Sequence, residues 1–373
     1  MKHALIASLA LLGLAAPSAS MPPPQDEEIS WFFGPFDEAL AKAKDRKTRV
    51  FLYVWADNEP CKRLYGETMK DAGCVRALKN LVCVSADSSK KDGAALVERY
   101  SVASMPTMLI VAPDGSAEDA LVGFCAPKSF VAEMERIKRG AGTIHDLRKR
   151  SEKKPEDLAL RYRYAEKLRH VGRTADFERV CDSIRRDDPG GKTLTGARIC
   201  LEDLEKRVIE SEDPSKADVQ PLARFLKRIK FSDIRHEGWA WVGNFEIERE
   251  DKKASRKAYQ LAWKSCPPKR RIGFAGELVR VYWTMRDEIR TADKKFILSV
   301  GQDAAKRAES MPRGERSGRP FEAWLAGHLD ALACCYYMAG RRKQALATVE
   351  RCKQLDPGNK LWGEREEMIT KGQ

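Results

Sequence analysis

None of the ten cysteines in this 373-residue chain lies in a Cys-x-x-Cys pair, which removes the common dithiol, haem-attachment and zinc signatures together. Histidine is scarce, and His145, His170, His236 and His328 fall on predicted helices without ligand spacing, so neither a metal nor a cofactor is expected. Gly190-Gly-Lys-Thr193 matches the end of a phosphate-binding loop, but Arg186 stands where its first glycine is required and no strand leads into it. No serine sits in a nucleophile-elbow pattern. Beyond the N-terminus there is no apolar run long enough to span a bilayer, so no transmembrane segment is expected. What remains for an enzyme is one thiol, Cys61.

Composition is that of ordinary folded material, with 43% hydrophobic residues and room for two or three domains. Met1-Lys2-His3, an apolar run over residues 4–16 and the small residues Ser18-Ala19-Ser20 predict a cleavable signal peptide over residues 1–20. Residues 21–30 follow as an extended lead-in, and the expected protein is exported, periplasmic or secreted. Export takes nucleic acid out of reach of the net charge of +13. That charge is read as a solvated basic surface, with attraction to acidic peptides or anionic envelope components as the functional alternative. The cysteines are sparse and form no compact framework, so most are expected to be small apolar filler.

The organising stretch is Val-Phe-Leu-Tyr-Val-Trp-Ala-Asp-Asn-Glu-Pro-Cys-Lys, residues 50–62, completed by Ser104-Met105-Pro106-Thr107. An apolar strand that breaks into a polar turn and then a helix presents a reactive helix N-terminus. A second strand is read at residues 82–87, a third at 108–111, a hairpin turn at Pro113-Asp114-Gly115 and a last strand at 120–124. On these ordered matches, residues 31–140 resemble a thioredoxin-fold domain. The resemblance implies that Pro106 is the cis-proline and that the Cys-x-x-Cys site aligns with Asn58-Glu59-Pro60-Cys61. Pro60, Lys62 and Cys61, at the resolving position, agree with the family; Asn58 replaces the nucleophile, and Leu52 replaces the buried acid. An amide cannot form a mixed disulfide, so the dithiol cycle has no first step. Cys61 is read as a remnant; the alternative is a single working thiol, favoured by the helix N-terminus and opposed by burial.

After Gly140 the character changes. Residues 141–155 read as a charged helical connector closed by Pro155, and from residue 156 to 373 only helical periodicity remains. Counting back from Pro357 finds Leu329, Leu332-Ala333, Tyr336, Gly340, Ala345, Val349 and Cys352; counting back from Pro267 finds Trp239, Val242-Gly243, Tyr259 and Ala262. These offsets resemble the tetratricopeptide signature. A weaker copy holds Tyr164-Ala165, Leu168, Gly172, Phe177, Cys181 and Ile184. About five antiparallel helix pairs are expected, with the aromatic residues packing between them. Arg161, Arg163, Lys167 and Arg169 form a basic group able to meet carboxylates, or a solvated helix face.

The expected fold class is therefore an α/β thioredoxin-like domain followed by an all-α tetratricopeptide-like helical-repeat domain. That architecture is similar to the chaperedoxins, redox-inactive or redox-switched holdases that carry Ser-x-x-Cys in place of Cys-x-x-Cys. This chain departs from them in its signal peptide and in Asn58. The resemblance implies a protein-binding module, a holdase or assembly adaptor with protein or peptide partners in the cell envelope. Asn58, Pro60, Met105 and Pro106 would form a binding surface that survives loss of the nucleophile. The alternative function is a thiol-disulfide oxidoreductase or redox sensor using Cys61 alone.

Overall fold

The computed structural model describes residues 28–211, 213, 216–314 and 320–372; the expected signal peptide and most of the lead-in lie outside them. The chain divides into two compact units, one ending at Val180 and one beginning at Cys181.

The first unit is built on a four-stranded sheet in the order β2-β1-β3-β4. Its strands are β1 Val50–Trp55, β2 Val82–Asp87, β3 Thr107–Val111 and β4 Ala117–Val122. β1 is parallel to β2 and antiparallel to β3, which in turn is antiparallel to β4. A strand covered on both faces needs a continuous apolar run rather than an alternating one, and Val50 to Val54 are all buried. The last strand begins and ends earlier than expected, so Phe124 and Cys125 lie beyond it. The turn between β3 and β4 closes through Ala112 and Ser116, with Gly115 at φ 85°, where a side chain would be strained.

Helices α1 Phe36–Asp45, α2 Glu59–Arg63, α3 Ala72–Leu78, α4 Lys91–Arg99 and α5 Pro127–Lys138 accompany the sheet. Phe51, Tyr53, Met108 and Ile110 share one core with Phe130 and Met134 of α5. This is a small mixed α/β domain of thioredoxin-like design.

The sheet-containing unit runs past Gly140. Helices α6 Ile144–Lys153 and α7 Leu158–His170, the expected connector and first repeat helix, both pack on β4. The reason is a buried carboxylate. Asp119 on β4 is fully buried and accepts from Arg136 Nη2 of α5 at 2.8 Å, from Lys167 Nζ of α7, and from the amide of Ala120 at 2.8 Å. Lys167 does meet a carboxylate, but one of its own chain. Of its sequence neighbours, Arg161 donates to the Pro155 carbonyl at 2.9 Å and Arg169 lies 3.7 Å from Glu166. Gly172, after α7, has φ 77°, and a Cβ there would lie 2.1 Å from the Tyr100 carbonyl oxygen, so the approach of these backbones requires glycine.

Helix α8 Thr174–Asp187 leads into the second unit, which among the described residues is helical only. Its helices are α9 Leu194–Ile209, α10 Gln220–Arg228, α11 Ser232–Glu248, α12 Lys252–Ser265, α13 Arg271–Thr284, α14 Thr291–Glu309, α15 Phe321–Met338, α16 Arg342–Leu355 and α17 Leu361–Lys371. Helices consecutive in sequence pack together, most closely α11 with α12 and α15 with α16. The small residues picked out by their spacing sit where helices touch: a Cβ on Gly243 would lie 2.9 Å from the Tyr259 ring. Trp239, Tyr259, Leu329, Ala333 and Val349 are buried in the same core, with Tyr336 at its margin. No helix among the described residues is long and apolar enough to cross a membrane.

Two polar groups of this unit make its stability depend on pH in opposite senses. His236 of α11 is buried, its Nδ1 3.2 Å from the Ala262 carbonyl and its ring edge-on to Phe274. Burial lowers its pKa. The half-buried Glu205 of α9 is pushed up to about 7 by burial, with Glu202 and Glu237 adding to it.

The Asp119 cluster predicts a large effect beside a small one. Asp119→Asn leaves two cations facing a neutral amide in a buried site and should cost about 3–5 kcal/mol. Glu118→Gln removes a half-exposed pair with Arg49 and should cost less than about 1 kcal/mol. Hydrogen exchange of the β1 and β3 amides reads both; equal protection in the two variants would contradict the anchoring role. For the second unit, the unfolded His236 takes up a proton near 6.5 and the folded one only at lower pH, so its contribution is present above 6.5 and lost as pH falls. Glu205 destabilises as pH rises from 4.5 towards 7. Relative to the native chain, His236→Asn should therefore gain stability on acidification from pH 7 to 5, and Glu205→Gln should gain it on going from pH 5 to 7. Denaturant titrations at the two pH values check the signs.

Candidate functional site

The β1–β3 register pairs Val54 with Thr107, so the residues after Val54 and those before Thr107 lie at one end of the sheet. That geometry puts the turn of residues 56–61 and the loop of residues 104–106 at the same end of the sheet.

On the turn side, Asn58 has extended backbone and its side-chain oxygen accepts from the Cys61 amide at 2.9 Å. An Asx side chain at this position satisfies one of the unpaired amides that every helix start leaves. Pro60 follows in the first turn, where its missing N–H is no loss. The residue standing in the nucleophile position is thus committed to capping α2. Cys61 itself is only 2% exposed, and its Sγ accepts from the Ala56 amide at 3.5 Å. Helix α2 is short, giving way to a π-helical turn over Leu64–Thr68. Asp71 then caps α3 through the Cys74 amide at 3.0 Å, so no continuous helix links Cys61 to Cys74.

Leu52, at the position of the family's buried acid, is fully buried and apolar. The polar group beneath the turn comes from the next residue instead. Tyr53 donates from its hydroxyl to the Cys61 carbonyl at 3.3 Å, and burial, with Cys61 and Tyr65 adding to it, pushes the phenol far above its ordinary value. It stays protonated and anchors the helix start. Tyr53 was not a site candidate in the sequence, where it reads as one more apolar residue of a buried strand. The available signal was a hydroxyl-bearing ring on the same strand face as Phe51 and Trp55, the face that packs with α3 and α5.

Around the turn lies a rim of aromatic and charged groups. Asp57 and Lys62 pair at 2.7 Å on the surface, and that carboxylate raises the Lys62 pKa. Arg63 stacks over Phe124 at 3.9 Å, and Thr68 donates to the Cys125 carbonyl at 2.6 Å. Tyr65 is 48% exposed.

On the loop side, the Met105–Pro106 peptide bond is cis. Pro106 is buried, its carbonyl accepts from the Gly123 amide at 2.8 Å, and Thr107 donates its hydroxyl to the Ser104 carbonyl at 2.6 Å. Met105 is half-buried, and among the described residues neither its N–H nor its C=O has a hydrogen-bond partner. A backbone donor and acceptor left unpaired at a sheet end form a template for an added strand. Chemically, the arrangement offers main-chain pairing at Met105 beside a shielded thiol.

No protein-family model and no curated protein matches the chain. Among solved structures, a thioredoxin from Thermus thermophilus is 27% identical over 30% of this chain and 88% of its own, with a TM-score of 0.27. The oxidised C-terminal domain of DsbD from Neisseria meningitidis is 21% identical over 26% of this chain and 89% of its own, with a TM-score of 0.24.

Proposed function

We propose that this protein is an exported protein-binding module, a holdase or assembly adaptor, whose thioredoxin-like domain holds extended polypeptide at the Pro106 loop without dithiol chemistry. The observation that carries the reading is the unpaired backbone of Met105 beside a Cys61 that is 2% exposed. Main-chain hydrogen bonds supply affinity that is indifferent to sequence, as a chaperone or adaptor requires. Pro60, Met105 and the exposed ring of Tyr65 would flank the bound segment, and Asn58 would contribute by fixing the turn. The helical unit, read as tetratricopeptide-like pairs, supplies a second partner surface of the kind stacked helices form.

Cys61 has no part in this binding. The competing reading makes it the single thiol of an oxidoreductase or redox sensor, favoured by its place in the first turn of α2. The two readings part in one pair of measurements. If the thiol is reached only through local opening that costs about 3 kcal/mol, native-state alkylation runs roughly a hundredfold slower than in the unfolded chain. Cys61→Ala should also bind a reduced, carboxymethylated unfolded protein within about twofold of the native chain, read by fluorescence anisotropy. Fast native labelling of Cys61, together with loss of binding by Cys61→Ala, would transfer the function to the thiol.

A further inference from the structure

The second unit holds a cavity of about 740 Å³, within the range of roughly 300–1,000 Å³ that ligand sites occupy. It lies where α9 meets α10 and the loop of residues 188–193. Its floor is apolar: Ile199 and Phe225 are 2% and 4% exposed, and Leu204 is half-buried. Its rim is cationic, formed by Arg207 of α9 and by Arg224, Lys227 and Arg228 of α10.

None of these four cations has an acidic partner among the described residues. The two carboxylates in the wall are already engaged. Asp203 takes Arg185 in a two-pronged pair at 2.8 and 2.6 Å. Asp188 accepts from the Lys192 amide, the Thr193 amide and the Thr193 hydroxyl at 2.8, 2.8 and 2.7 Å. That last cluster also makes the wall rigid. A Cβ on Gly196 would lie 2.1 Å from Asp188 Oδ2, so the loop is pressed against the start of α9 and the cavity is preformed.

Helix dipoles favour cations in a last turn, which accounts for Arg207, Lys227 and Arg228 as single residues. It accounts neither for Arg224, a turn earlier, nor for the convergence of two helices' cations on one apolar floor. Guanidinium groups are matched by carboxylates, which they hold in forked pairs. A recessed apolar floor is matched by a bulky side chain carried between those carboxylates. A bilayer surface would meet the rim but could not reach Ile199 or Phe225. A neighbouring depression with Lys192, Lys230 and Phe231 continues the cationic surface.

We infer that this cavity binds an acidic peptide segment of another protein, seating a bulky apolar side chain on Phe225 and Leu204 and its carboxylates on Arg207, Arg224, Lys227 and Arg228. The site shares no residue with the Met105 loop, so either can fail alone.

The test uses the full chain and a fluorescein-labelled peptide of about twelve residues, rich in Asp and Glu with a Leu or Phe at every fourth position, so that carboxylates flank an apolar anchor. The expected result is binding that weakens at least about tenfold in Arg224→Glu/Lys227→Glu and falls as salt rises. It should stay within about twofold in Arg342→Glu/Lys343→Glu, which makes the same charge change on exposed positions of α16. A version with Lys in place of the acids should not bind. Thermal unfolding checks both variants; should the charge reversal melt early, Arg224→Gln/Lys227→Gln must weaken binding in the same direction. No peptide binding by the native chain, or equal loss in both charge variants, overturns the proposal. So does binding confined to vesicles containing phosphatidylglycerol and abolished by Arg224→Glu/Lys227→Glu, which would make the rim a membrane-facing patch.

Discussion

A charge taken out of water must be compensated where it lies, and in the first unit that demand falls on Asp119. Its carboxylate sits fully buried on β4, so the strand is acceptable only with Arg136 and Lys167 in place. Arg136 belongs to α5 and Lys167 to α7, so satisfying one group recruits two helices and covers what would otherwise be an open sheet edge. The consequences reach the site. β4 leads directly to Gly123, whose amide holds the Pro106 carbonyl. With that carbonyl used, the next backbone groups out, those of Met105, are left without a partner among the described residues.

At the opposite side of the site, capping and nucleophilic attack compete for one position. A helix start needs a side-chain acceptor for its free amides, and Asn58 supplies it to Cys61. A cysteine there would offer a poor acceptor but a usable thiol. With asparagine, the turn has its cap. Tyr53 strengthens the same choice: its hydroxyl holds the Cys61 carbonyl with a group too weakly acidic to move protons as a carboxylic acid would. Leu52 is buried and apolar and Asn58 is committed to the cap, so neither position sets an acid or a second thiol next to Cys61.

How much of this was legible in the sequence depends on the range of the interaction. The strands, the hairpin at Gly115 and the Asn58–Cys61 turn are local patterns, and they were read close to their observed positions. The spacing of Gly243, Tyr259 and Ala262 is a longer pattern but still one of a single helix pair, so it too was legible. What escaped were the pairings set by tertiary packing. Asp119 reads as one polar residue in a strand, and nothing local announces that Lys167, some fifty residues on, will be drawn to it. The packing of α6 and α7 on β4 escaped for the same reason: composition changes at Gly140, but contacts with the sheet continue beyond it.

The cationic cavity sharpens that point. Arg207 sits at the end of one amphipathic helix and Arg224, Lys227 and Arg228 on the polar face of another, each the ordinary exposed position such helices present. Read singly they are solvated surface. They become a site only because the loop of residues 188–193, held by Asp188 against Gly196, leaves a hollow between the helices instead of filling it. Chemistry that depends on one side chain can be sought in a motif. Recognition that depends on several ordinary side chains converging is encoded in the packing that brings them together, here in a carboxylate spent on backbone amides and a glycine that lets it approach.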